Sequence, residues 1–330
     1  MSVPKESGLY FLAETIYCDI SVLWSTYKYS TIFVNFAPVF NSTDINMKKI
    51  ISLLILMIMP LLAGAQAQIN TKKVKIADFT EKVTKVVLNG NAFYDSAFRE
   101  EIAARWRISP YEFCTLQDFE NLKEDDSYYF LLITQGQFRK ETAPGLQFLS
   151  LVKGGEGADK GIDKMLEVVS LPFASAEYPS GRELVFLPAF LDIIQDHTLE
   201  SMERDINAYG GLRNYTANIS KSKEMDIVFA EDDIAEEIPD NYMERKFDDA
   251  ITVTDEDSAD KYMIENTENT LVSYVAAPTE PISGSFCYKM LIDAGTHKLY
   301  YFRKHKISAK YGSGFLQEDL EKITANRSNN

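Results

Sequence analysis

The chain has 330 residues, 45% apolar and 25% charged, with 49 acidic against 34 basic side chains and a formal net charge of −15. That is the composition of an ordinary globular protein, long enough for two domains or one large one. So acidic a balance excludes a protein that wraps nucleic acid, whose affinity comes mainly from neutralising phosphates.

Residues 1–46 read differently from everything after them. The stretch GLYFLAETIYCDISVLWSTYKYSTIFVNF is aromatic and almost uncharged, with neither a helical nor a strand period. Met47 then opens MKKIISLLILMIMPLLAGAQAQ, with two lysines, an apolar run from Ile50 to Leu62 broken only by Ser52 and Pro60, and a small-residue tail. Crossing ~30 Å of hydrocarbon takes about 20 residues, more than this run supplies. A secretory signal instead needs a basic end, an apolar stretch of about 7–15 residues and a small-x-small cleavage site. Ala63-Gly64-Ala65 and Ala65-Gln66-Ala67 both fit, so cleavage after Ala65 or Ala67 is expected, ahead of a retained anchor or a buried core helix. Neither site is followed by Cys, so no lipid anchor is expected. A signal works from a free N-terminus. Residues 1–46 are therefore expected to be an extension from a mis-called start, and residues 47–67 the signal peptide. The segment ahead of the cleavage sites holds four bases and four acids, so the mature chain keeps the whole charge of −15.

After a polar lead-in, Val83–Asn89 reads as a strand by its β-branched content. A helix follows from about Asn91, with Tyr94, Ala97, Phe98, Ile102 and Trp106 at three- and four-residue spacing, and Pro110 ends it. Tyr111–Thr115 is a second strand, and Thr115 caps a short helix with Leu116, Phe119 and Leu122 on one side. Ser127–Gln135, Leu146–Val152 and Met165–Phe173 are three more strands. Ser180-Gly181-Arg182-Glu183 has the form of a capping box. It opens a long helical stretch through Leu191, Ile194, Leu199, Met202 and Ile206, closed by Gly210-Gly211, with Pro188 kinking or delaying it.

The second half repeats the order. Strands are predicted at Met225–Ala230, Asp249–Asp255, Thr270–Pro278, Ser285–Asp293 and Lys298–Ile307. A helix or irregular turn follows the first and a short helix (SADKYMIENT) the second. Ala294-Gly295-Thr296 makes a tight link between the last two strands, and GFLQEDLEKIT closes as a helix. The fold expected is α+β, with two tandem β-α-β-α-β-β-β-α modules on mixed sheets, residues 68–211 and 212–330. This order resembles the small α/β modules of bacterial envelope assembly proteins, namely the core of the curli secretion channel protein and the N-terminal domain of the Tol-Pal component TolB. The resemblance covers residues 80–209 and 222–325 separately, and lies in topology. It implies helices on a mixed sheet that ends in an antiparallel meander. The chain lacks the lipid-accepting Cys and the alternating amphipathic hairpins that a pore requires, so pore function is not implied.

Charge is unevenly spread. Glu224 to Glu268 holds 17 acids against Arg245, Lys246 and Lys261, whereas His297 to Lys310 holds five bases and no acid. The basic run reads either as a solvated edge strand or as a strip that meets an anionic partner. Together with the aromatics of the same hairpin it marks Tyr288, Tyr300, Phe302, Arg303, Lys304 and Lys306 as candidate binding residues. Each Tyr-Tyr pair (Tyr128-Tyr129, Tyr300-Tyr301) is expected to send one ring to each side of its sheet. Cys114 and Cys287 remain in the mature chain; they can pair after export, or act as buried hydrophobes within apolar strands.

Little catalytic chemistry is legible. His197, His297 and His305 have no metal-ligand spacing, and all three read as structural, His197 at a surface or boundary. Lys153–Gly161 (KGGEGADKG) lacks the Lys-Ser/Thr ending of a phosphate loop and reads as a flexible hairpin loop. TDEDSADKY lacks the glycine and the last glutamate of a calcium loop. No G-x-S-x-G elbow occurs. The expectation is an exported, non-enzymatic binding or assembly protein without a cofactor, periplasmic or at the cell surface. Its partner would be an envelope protein or an anionic or glycan ligand. The alternative is a carboxylate-dependent hydrolase of envelope or dietary polymers.

Overall fold

Each half of the chain builds the same sheet. The computed structural model describes residues 71–247 and 249–328, so the leader segments and the cleavage residues Ala65 and Ala67 lie outside the described residues. In the first half, β1 (Val83–Leu88), β2 (Tyr111–Thr115), β3 (Tyr128–Gly136), β4 (Leu146–Lys153) and β5 (Leu166–Ser175) lie in the order β2-β1-β3-β4-β5. In the second, β6 (Asp226–Ala230), β7 (Ile251–Thr254), β8 (Thr270–Ala276), β9 (Phe286–Asp293) and β10 (Leu299–Lys306) lie in the order β7-β6-β8-β9-β10. The first three strands of each sheet pair in parallel and the last three as an antiparallel meander. The tandem two-module layout is therefore what the structure has.

Local chemistry explains most of the helices. After the one-turn α1 (Lys72–Lys75), α2 (Ala92–Arg105) starts where the Asn91 side chain accepts the N–H groups of Phe93 and Tyr94. In α3 (Leu116–Leu122), Thr115 and Asp118 form a complete capping box. The first module ends with α4 (Arg182–Val185), α5 (Leu187–Glu203) and α6 (Asp205–Gly210), Pro188 standing in the first turn of α5 where a missing N–H costs nothing. The second has α7 (Asp240–Lys246), α8 (Glu256–Ile264) and α9 (Gln317–Ser328). The lead-in also docks. Lys153 Nζ binds both Asp78 carboxylate oxygens at 2.9 and 2.7 Å, and the Tyr129 hydroxyl donates to Asp78 at 2.6 Å. Burial alone would raise the Asp78 carboxyl, but hydrogen bonds from Lys153, Lys82 and Tyr129 bring it down to about 2.

The two modules share a core. The described residues form one compact unit. α2 and α5 cover the face of the first sheet that carries Tyr129, Leu131, Leu149 and Leu171; α3 covers part of the other face, with Phe119 against Phe130 and Leu132. In the second sheet α8 lies on the face carrying Val272, Tyr274, Met290 and Ile292, and α9 on the face carrying Ile227, Leu271 and Leu291. The α5 side of the first sheet and the α8 side of the second belong to a single cluster, with α5 between them. That is why α5 is buried nearly all round, from Leu187, Phe190 and Leu191 to the polar Gln195, His197, Thr198 and Ser201. Phe190 meets Tyr274 of the second module at 5.1 Å. Burying a ring of this size contributes about 1.5–3 kcal/mol.

Four expectations need correction. Ser180 does not complete a capping box: Gly181 (φ +93°) stands at the start of α4, and Arg182 and Glu183 turn into the core. Leu116 faces solvent, half exposed, because the cap at Thr115 aims the first turn outward. His197 is 1% exposed, drawn inside with α5. The glycine loop after β4 is built rather than open: it carries two 3-10 turns (Ala158–Lys160 and Ile162–Lys164), and a Cβ at Gly154 would overlap the Asp125 carbonyl oxygen.

Candidate functional site

The β5 edge of the first sheet abuts the α8-side face of the second. The Tyr274 hydroxyl donates to the Phe173 carbonyl, Thr279 Oγ1 donates to Ser175 Oγ at 2.8 Å, and Phe148 meets Tyr288 edge-on at 5.6 Å. On one side of this junction α5 fills the angle between the sheets. On the other the angle is open, a cleft of about 610 Å³, within the ~300–1,000 Å³ range of ligand clefts. Its floor is the α3-side face of β3, β4 and β5, with Thr134, Phe148, Ser150 and Ser170; its wall is Tyr288, Phe302 and Lys304; Lys72, Tyr209 and Arg213 close one end.

Register explains why the floor is polar. The ladders of the two modules superpose residue for residue: Thr134↔Phe148 matches Ala276↔Tyr288, and Ser150↔Ser170 matches Met290↔Phe302. Where the second module has Ala276, Met290 and Phe302, buried under the first module, the first has three hydroxyl residues. Thr134 Oγ1 and Ser150 Oγ lie 2.8 Å apart, as do Ser150 Oγ and Ser170 Oγ. The three form a row across three strands, and Ser150 is buried. If each hydroxyl donates toward Thr134, Ser170 is left with free lone pairs; if the row runs the other way, it is left with a free donor.

Three of the sequence-predicted binding residues reach this cleft. Tyr288 and Phe302 are buried in its wall, and Lys304 stands exposed above the Phe286 and Tyr288 rings at 5.1 and 5.6 Å. Lys306 lies on the same face farther along, above the Phe286 ring at 5.9 Å. Tyr300 and Arg303 are not part of it. A bulge between Leu299 and Tyr301 breaks the alternation, so Tyr300 and Tyr301 both turn toward the α9 side, against the expectation of one ring on each side. Arg303 is engaged there by Asp319 at 2.7 Å and Glu318 at 3.5 Å. Asp319 is itself fully buried, accepting from Lys289, the Tyr301 hydroxyl and the Leu316 N–H.

The disulfide does not form. Cys114 and Cys287 are both free and buried, because they sit in different sheets: Cys114 packs beneath α3, while Cys287 accepts the Gly314 N–H on the α9 side. Burial pushes the Cys114 thiol up to about 11 and the Cys287 thiol up to about 12.

A second polar group, not anticipated from the sequence, joins the modules. Arg182 is buried, with Nη1 on both oxygens of Asp233 at 2.9 Å, Nε on Asp260 at 2.7 Å and Nη2 on the Ser273 carbonyl at 2.9 Å. Its guanidinium lies over the Phe186 and Tyr274 rings at 5.2 and 5.4 Å. Burial pushes the Asp260 carboxyl up to about 6 despite the adjacent Arg182. Neighbouring Glu183, also buried, accepts the Tyr94 hydroxyl and the Gly181 N–H. This group holds the modules together and leaves Arg182 no free donor face for a ligand.

The histidines are structural in geometry. Tyr215 donates its hydroxyl to Glu200 at 2.9 Å, so His197 Nδ1–H donates to Tyr215 and Nε2 accepts from Ser201. Burial, with Lys72 nearby, lowers His197 to about 4. His297 (φ +58°) binds Asp192 at 2.6 Å, and His305 Nε2 donates to the Gly312 carbonyl at 2.7 Å. Among the described residues no group of three His, Cys, Asp or Glu side chains is placed to hold a metal ion, and no helix is long and apolar enough to cross a membrane. No protein-family model matches the sequence, and neither a curated protein nor a solved structure is significantly similar to it.

Proposed function

We propose that this is an exported, non-enzymatic binding or assembly protein of the cell envelope, and that the cleft in the angle between the two sheets is where it holds its partner. One observation carries the reading. The repeat position that is apolar and packed shut in the second module is open in the first and lined by hydroxyls beside an aromatic wall. A protein that needed only to fold would gain by closing it. Export is supported by the basic, apolar and small-residue segments that follow Met47, and an envelope role by the resemblance in element order to envelope assembly modules. The test has two readouts. Mass spectrometry of the exported protein is expected to find a mature start at Gln66 or Gln68; an intact Met1 would overturn the export reading. Pull-down from envelope extracts is expected to yield a bound component that Lys304→Glu and Ser170→Phe each abolish. Capture unchanged by both substitutions would remove the cleft as the site.

A further inference from the structure

The cleft has a chemistry as well as a shape. We infer that it takes an acidic glycan, a sugar chain bearing carboxylate groups, with its rings against the Phe148–Tyr288 wall and its charge toward Lys304 and Arg213; this rests on the cleft being the binding site. Three observations converge. The hydroxyl row ends at partly buried Ser170, which offers a donor in one orientation and lone pairs in the other. A partner hydroxyl, itself donor and acceptor, is met in either case. Thr134 Oγ1 also reaches the Phe148 carbonyl at 3.5 Å, so the row is met at that end and only Ser170 has capacity to spare, which an apolar cover would leave unmet.

Aromatic surface is the second. The partly buried Phe148 ring lines the cleft where floor meets wall, packed edge-to-face with the buried Tyr288 ring, and the C–H face of a sugar ring is apolar enough to pack against it. Charge is the third. In a chain of net −15, Lys304 and Arg213 are exposed, and among the described residues neither takes part in an ion pair. Two acids share the rim: Glu167 is close enough to Lys72 and to Tyr288 to interact with both, and Asp163 is bonded to Lys164, which leaves the lining with Lys72, Arg213 and Lys304 against these two. An anion at the Lys304 end would gain charge-assisted hydrogen bonds without displacing a carboxylate.

The experiment is calorimetric titration of the exported protein with trigalacturonate, maltotriose and hexaglutamate. Saturable binding of trigalacturonate is expected, with maltotriose about a hundredfold weaker, the value of the two charge-assisted hydrogen bonds from Lys304 and Arg213, and no binding of hexaglutamate. Lys304→Ala and Arg213→Ala, both at exposed positions, should weaken trigalacturonate about tenfold and leave maltotriose unchanged. Ser170→Ala should weaken both sugars. Failure of both sugars to bind at up to about 10 mM, equal binding of hexaglutamate, or indifference to Lys304→Ala would each overturn the assignment. If the sugars fail while Lys304→Glu still abolishes capture of the envelope component, the cleft stands and only the glycan falls.

Discussion

Arg182 grips Asp233 through both carboxylate oxygens at 2.9 Å, across the boundary between the two modules. Its other nitrogens hold Asp260 and the Ser273 carbonyl, so one side chain ties α4 to the second sheet and to α8. Removing it strands two carboxylates inside the protein. Arg182→Met is expected to cost about 3–5 kcal/mol in urea unfolding at pH 7. Arg182→Lys should recover little of this, because a single ammonium cannot reproduce the three-way fork. A loss under 1 kcal/mol would show that the pair contributes nothing to holding the modules together.

Asp260 makes a prediction of opposite sign. Burial raises its carboxyl to about 6 when folded. A group whose pKa is higher folded than unfolded favours the native state while protonated and loses that contribution as pH climbs through the folded value. Stability from this group should therefore decline between about pH 4 and pH 6, by on the order of 2 kcal/mol. Asp260→Asn keeps an acceptor for Arg182 Nε and never ionises. It should flatten that decline and be no less stable than the parent at pH 7, as read by melting temperature across the window.

His197 works the other way. Its pKa is lowered to about 4, chiefly by burial, so its contribution is complete above about pH 6.5 and is lost as pH falls through the folded value. His197→Gln retains hydrogen-bonding capacity toward Ser201 and Tyr215 without a titrating ring. The variant should lose less stability than the parent between pH 6.5 and 4, and equal slopes would contradict the assignment of a neutral, buried imidazole.

Thiol chemistry offers a quick check on the sheets themselves. Cys114 and Cys287 are buried, in separate sheets, with thiols pushed well above neutrality. A chain beginning at Gln68 should migrate identically with and without reductant, and both thiols should react with a maleimide only on unfolding. A reductant-sensitive band would place the two sheets differently.

The core gap at Phe190 tests the shared interior. Phe190→Ala removes contacts with Phe173 and Phe186 in its own module and Tyr274 in the next. A loss of about 3–5 kcal/mol is expected, in one cooperative transition reported identically by probes in either half. Two separate transitions would mean that the modules fold independently.

Much of the architecture was legible because its causes are local. β2 is bounded by Pro110 and by the Thr115 cap, and the structure places it at Tyr111–Thr115 as read. The repeat was visible as a succession of strands and caps. What escaped depends on long-range partners. Nothing near Arg182 announces Asp233 and Asp260, which follow 51 and 78 residues later. Thr134, Ser150 and Ser170 are unremarkable hydroxyls until the β3–β4–β5 register lines them up. The basic-aromatic hairpin drew attention to Tyr288, Phe302 and Lys304, which line the cleft wall, but the burial of both rings was not anticipated, and alternation alone misplaced Tyr300, because a bulge is an extra residue that period-two counting does not anticipate.

The unequal treatment of equivalent faces also limits how the modules can be chained. Repeat arrays grow by laying the last helix of one unit on the open sheet of the next, and they stop where that surface turns polar. Here α5 is apolar on both sides and is gripped by two sheets, whereas its counterpart α9 buries Leu320 and Ile323 on one side and shows Glu318, Glu321 and Lys322 on the other. The open sheet at the opposite end is hydroxylated. Among the described residues both ends of the stack therefore present polar surfaces, and neither offers the apolar face on which a further repeat would be laid.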